Sequence, residues 1–137
     1  MKKLKDYSPV VLRVAISLVF LWFSINQLIS PSEWTLYLPG FLANTQNPEI
    51  YIYANAIFEL IFGFILLIGL YVRLASLLLG IHLLGISVTL GWSAIAIRDY
   101  GLAFATLAIF LNGPDKLCVK KTTDKDNKKQ TNNYISS

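Results

Sequence analysis

Long apolar runs alternate with polar breaks along this chain, and the run lengths decide what it can be. Three runs stand out: VVLRVAISLVFLWFSINQLI at 10–29, Tyr51 to Leu70, and LASLLLGIHLLGISVTLGW at 74–92. A bilayer core takes about 20 residues of apolar helix, and backbone groups in hydrocarbon must pair within their own segment. Each run is therefore predicted to be a membrane-spanning α-helix. A fourth run, YGLAFATLAIFL at 100–111, is short for a span. It reaches spanning length only if its helix starts near Ile97 and takes in Arg98 and Asp99; a re-entrant or interfacial segment is the other reading.

The breaks set the topology. The first, SPSEWTLYLPGFLANTQNPE, carries Trp34 and Tyr37 among apolar residues and is punctuated by Pro31, Pro39 and Pro48. That mixture favours the membrane–water interface, with a short helix over Ser32 to Leu38. The second break is only Tyr71 to Arg73, so spans two and three form a tight antiparallel hairpin. The third is short, near Ser93 to Ala96. The expectation is an all-α membrane protein, a four-helix up-down bundle over residues 1–115. A polar segment, 116–137, follows and is expected to be disordered. Residues 1–8 read as a polar lead. The first run is too long for a cleaved signal, and no small-residue cleavage site follows Leu28, so it reads as a signal-anchor helix. Ser76 with Gly80, and Gly63 on the side of its helix that carries Glu59, mark close helix packing.

Composition agrees with this reading. The chain has 137 residues, 55% of them hydrophobic, and a mean hydropathy of +0.55. The net charge of +4 says less than its placement. Lys2, Lys3, Lys5 and Arg13 precede or open the first span; Lys116, Lys120, Lys121, Lys125, Lys128 and Lys129 follow the last. The connection 30–50 has Glu33 and Glu49 and no basic residue, while Arg73 sits in the second turn. The positive-inside rule puts both termini in the cytoplasm, which requires an even number of spans. The basic ends are topological signals first and contacts for anionic lipid second; nothing points to nucleic acid. Cys118 is the only cysteine and His82 the only histidine. An intrachain disulfide, a CxxC site and a bis-histidine haem within one chain are excluded. No nucleophile–base pair, metal set or nucleotide loop is present, so no catalytic residue is assigned and no metal site is expected.

Function is then sought among the polar residues inside the spans. Glu59 lies near the middle of span two, with Asn55 one turn away on the same face. By helical rise, Asn26, Gln27, Asn55, Glu59, Arg98 and Asp99 collect in the outer half of the bundle, with His82 slightly further in. Arg98 ranks first as the charge partner of Glu59, with His82 and Asn55 as hydrogen-bonding neighbours. Arg13, at the opposite border, can extend to the inner interface. An unpaired charge at mid-span costs on the order of 2.5–3.5 kcal/mol even on the lenient insertion scale, so Glu59 needs local partners. Two readings of the cluster stay open: a structural polar knot that fixes helix register, or a site for a ligand, a quinone or a proton.

The ordered polar residues resemble the DoxX family of small bacterial and archaeal membrane proteins. The likeness begins in LRVAISLVFLWFSINQLISPSEW. It continues in FELIFGFILLIGLYVRLASLLL, with Glu59, Gly63, Gly69 and Arg73, and ends in IRDYGLAFATLAIFL, with Arg98, Asp99 and Leu102. It covers roughly residues 10–115. The family often carries G-x-x-K near the end of the first helix; here SINQ stands there, with Ser24 and Gln27, so an anion-binding lysine has no counterpart. The resemblance implies a four-helix, multi-pass protein of a prokaryotic plasma membrane. It also implies a link to respiratory or sulfur redox chemistry, since relatives include a subunit of thiosulfate:quinone oxidoreductases. On that footing the chain is expected to be a non-catalytic subunit or accessory of a quinone-linked system. Quinone is then the one cofactor class left open, and none is bound covalently. The alternatives are a permeation protein acting as a homo-oligomer and a purely structural assembly partner in the bilayer.

Overall fold

The computed structural model describes residues 2–118. Its elements run α1 (Lys2–Ile29), α2 (Pro31–Trp34), α3 (Gly40–Ala43), α4 (Glu49–Ile68), α5 (Val72–Leu90) and α6 (Ala94–Asn112), with a 3-10 turn at Thr35–Tyr37 after α2. The long helices α1, α4, α5 and α6 are each long and apolar enough to cross a membrane. The short fourth run resolves as a full 19-residue helix because it starts earlier than the apolar residues do. Ser93 caps it, its hydroxyl accepting from the Ala96 amide at 3.1 Å, and Arg98 and Asp99 lie inside its first turns. The polar lead is helical as well: α1 begins at Lys2 and carries Pro9 internally. Pro9 lies two turns into the helix, where it removes the amide that would bond the Lys5 carbonyl. The first connection holds the expected short helix, split into α2 and the 3-10 turn.

Each long helix buries one narrow stripe. On α1 it is Val10, Arg13, Ser17, Phe20, Ser24 and Gln27; on α4 it is Ile52, Ala56, Glu59, Gly63 and Leu66. Steps of three and four put these residues on one face, the pattern of helices crossing at a shallow angle. Small residues hold the seams. A Cβ on Gly63 would lie 3.3 Å from Phe20 Cβ, and one on Gly80 2.8 Å from Leu107 Cδ2. The buried hydroxyls are satisfied within their own helices: Ser17 donates to the Arg13 carbonyl, Ser76 to Val72, Ser87 to Leu83 and Thr106 to Leu102. These residues allow close approach without leaving a polar atom unpaired in an apolar surround.

Packing is heaviest between α1 and α4 and between α5 and α6; the two pairs meet more lightly, α4 on α5 and α1 on α6. Ile16, Phe20, Leu66, Leu79 and Leu83 form the core between them. The start of α1 and the end of α6 lie at one end of the bundle, here the terminal end. The α1–α4 connection and the α5–α6 turn lie at the other, the loop end.

The terminal end is closed by a clamp. α4 stops at Gly69, which takes a left-handed conformation (φ 83°). The amides of Gly69 and Leu70 turn back to the Leu66 and Ile65 carbonyls. Arg13 completes the cap, its Nη1 donating to the Leu66 and Leu67 carbonyls at 2.9 and 2.5 Å. Its other face holds Asp115, Nε to Oδ2 at 2.6 Å and Nη2 to Oδ1 at 3.3 Å. Arg13 is 2% exposed. It therefore does not extend to the interface as expected, because three acceptors inside the bundle take it up. Burial pushes the Asp115 carboxyl up. The hydrogen bond from Arg13, the Leu117 amide and the guanidinium charge outweigh that and hold it below its ordinary value.

Residues 116–118, read from sequence as the start of the tail, form a turn on this clamp. The Leu117 amide donates to Asp115 Oδ1, and Cys118 packs on Gly69. Arg73 is exposed and lies against Gly113. The disorder expected beyond this point concerns residues 119–137, outside the described residues.

Candidate functional site: a cleft at the loop end

A cleft of about 720 Å3 opens between the helix pairs at the loop end. Its walls are apolar and aromatic: Val19, Phe20 and Phe23 from α1, Tyr51 and Phe58 from α4, Ile81, Leu83 and Ile86 from α5, and Leu102 from α6. Trp34, Tyr37, Phe41 and Leu42 of the first connection line its mouth. Trp34 and Tyr37 join an aromatic chain in which Phe23 and Trp34 meet edge to face at 5.7 Å and Trp34 and Tyr37 lie tilted at 5.6 Å. The connection thus shapes the cleft rather than merely anchoring in the interface.

Polar groups from α1, α4 and α5 meet on one wall. His82 Nε2 lies 2.5 Å from Asn55 Oδ1, and Asn55 Nδ2 donates to Gln27 Oε1 at 2.8 Å. Glu59 sits one turn below Asn55, with the side chains of Asn55 and Gln27 beside it. Its Oε1 is 3.7 Å from His82 Nε2. Glu59 is 4% exposed, and what remains open faces the cleft it lines. By helical rise, Glu59 lies roughly 15 Å and His82 roughly 12 Å from the loop ends of their helices, so they form the deepest polar patch. The Phe58 ring packs against the His82 ring, tilted to it by 42° with centres 4.6 Å apart.

Arg98 and Asp99 line the cleft nearer its mouth, and they serve each other. Arg98 Nε and Nη2 donate to Asp99 Oδ1 at 3.0 and 2.9 Å, while the guanidinium lies 5.1 Å from the Phe23 ring centre. Arg98 is therefore not the charge partner of Glu59; the ring of His82 is the group beside that carboxylate. Asp99 is near enough for its charge to act on Glu59. Asn26 stays outside the cluster: it is one position off the buried stripe of α1 and donates to the carbonyl of Trp22. Gly63, Gly69, Arg13 and Arg73 belong to helix packing and the terminal end. Sequence reasoning missed Asp115 as the partner of Arg13 and the first connection as a cleft wall. Among the described residues, no three His, Cys, Asp or Glu side chains gather as a metal site would require.

A family model described as DoxX matches residues 8–92. The chain belongs to the DoxX family. The match takes in Arg13 of the clamp, the exposed Arg73, and Gln27, Asn55, Glu59 and His82, the whole deep polar patch. Arg98, Asp99 and Asp115 lie beyond it. No curated protein and no solved structure matches the chain. As a DoxX-family chain with four apolar helices of spanning length, it is a multi-pass membrane protein.

Proposed function

We propose that this DoxX-family protein is a non-catalytic membrane component of a quinone-linked redox system, and that it holds a quinone-class headgroup in the loop-end cleft. In this reading both termini face the cytoplasm of a prokaryotic plasma membrane. The observation that carries the proposal is the cleft itself: about 720 Å3, aromatic-walled, with one buried polar patch. Sites for small amphipathic ligands have this size and this balance of many apolar walls and few polar groups. The residues fit such a ligand. Phe23, Phe58 and Trp34 would offer ring faces, and Asn55, Glu59 and His82 hydrogen-bonding groups. When bound, the quinone supplies the electron-carrying chemistry. The chain binds and orients it, and a partner protein exchanges the electrons.

The permeation reading is weaker on one point. The packed core around Leu66, Leu79 and Leu83 and the Arg13–Asp115 clamp lie between the cleft and the terminal end.

The test uses Trp34, one of three tryptophans and the one that lines the cleft. Protein carrying Trp22→Phe and Trp92→Phe, in uncharged lipid nanodiscs, is titrated with decylubiquinone. Saturable quenching of Trp34, weakened by Asn55→Leu, is the expected result. Quenching that rises linearly with quinone in the bilayer, as for free tryptophan in lipid, would refute the proposal.

A further inference from the structure

The deep polar patch has a direction. The amide of Asn55 is oriented by its two partners. With Nδ2 given to Gln27 Oε1, its Oδ1 is the acceptor for His82, so His82 Nε2 carries the proton and Nδ1 of the neutral ring keeps a lone pair. Gln27 accepts from Asn55 with its carbonyl oxygen, and both side chains lie beside Glu59. Asn55 Nδ2 and His82 Nε2 are thus spent on groups within the patch. What it leaves for a ligand is acceptor capacity: the open oxygen surface of Glu59, a carboxylate that in its ionised form has about four lone-pair sites and no proton to give. Arg98, the strong donor of the cleft, is turned to Asp99 and Phe23 near the mouth.

We propose that the deep end of the cleft selects a ligand whose headgroup donates hydrogen bonds, a hydroquinone or related phenol, over the oxidised quinone that can only accept them. This rests on the reading of the cleft as a quinone-class site and goes beyond it by naming the redox form. A hydroquinone hydroxyl placed against Glu59 makes a charge-assisted hydrogen bond. A quinone carbonyl in the same place meets like-signed lone pairs and must forgo any partner.

Calorimetric titration in nanodiscs separates the outcomes. Full-length protein is titrated anaerobically, in mildly alkaline buffer, with decylubiquinol and in parallel with decylubiquinone, and empty nanodiscs serve as the blank. The quinol is expected to bind about tenfold tighter, the scale of one charge-assisted hydrogen bond gained against none. In Glu59→Gln, which supplies a donor at the same place, the two forms are expected to bind within about twofold of each other. Equal affinity in the wild-type protein, or tighter binding of the quinone, overturns the inference while leaving the cleft a quinone site. No heat above the blank with either form overturns both. The wild-type comparison stands even if Glu59→Gln does not fold.

Discussion

Replacing Arg13 with methionine keeps most of the side-chain length and removes the guanidinium from the terminal-end clamp. Three groups lose a partner at once: the Asp115 carboxylate and the carbonyls of Leu66 and Leu67. Removing one member of a buried ion pair costs about 3–5 kcal/mol, because the other charge is left uncompensated. A buried acceptor left unpaired costs about 1–3 kcal/mol. The Leu66 carbonyl keeps its bond from the Gly69 amide, so the exposed loss is mainly Asp115 and Leu67. The clamp also lies near the helix ends, where water can enter once Arg13 is gone, which favours the lower part of each range. The expected loss for Arg13→Met is therefore about 3–4 kcal/mol. Unfolding by dodecyl sulfate in mixed micelles, followed by circular dichroism, measures it. A double-mutant cycle with Asp115→Leu should give a coupling of at least about 1.5 kcal/mol, since the second change removes the charge that the first strands. A loss below about 0.5 kcal/mol for Arg13→Met would match a surface side chain and refute the clamp.

Other consequences follow from the same geometry. Asp115 is held below its ordinary carboxyl value, so its contribution is full above that ordinary value and is lost as pH falls through the lowered one. Acid should therefore destabilise the wild-type protein more steeply than Asp115→Asn, as read from thermal unfolding across an acid pH series. Gly69→Ala places a Cβ 2.7 Å from the Cys118 backbone at a positive φ. It should free the 113–118 segment and speed maleimide labelling of Cys118 severalfold. Asn55→Leu leaves both His82 and Gln27 without their partner and should cost about 1–3 kcal/mol by the same micelle unfolding.

Much of this architecture is legible in the sequence for reasons that are local. A span is announced by its own composition, and a hairpin by the few residues between two spans. Glu59, Asn55, Gln27 and His82 could be gathered because helical rise converts residue number into depth. Depth does not give azimuth, however. Asn26 and Gln27 share a depth, and only the buried stripe Arg13, Ser17, Phe20, Ser24, Gln27 separates them. Read as a step of three and four, that stripe was available in the sequence and would have placed Arg13 inside the bundle. Its partner was not, because Asp115 lies 102 residues away, just after Gly113-Pro114. At that point the chain reads as the start of a polar tail. Arg98 was assigned to Glu59 on depth alone. The adjacent Asp99 reaches it first, and with two contacts.

The central claim, that the loop-end cleft holds a quinone-class headgroup, is tested most directly in native membranes with a photoreactive quinone analogue, mapping the labelled residues by mass spectrometry. The account predicts labelling confined to cleft residues such as Phe23, Trp34 and Phe58, suppressed by excess unlabelled quinone. Labelling spread over the outward-facing Leu18, Ile61 and Phe64, and unchanged by competitor, would contradict it.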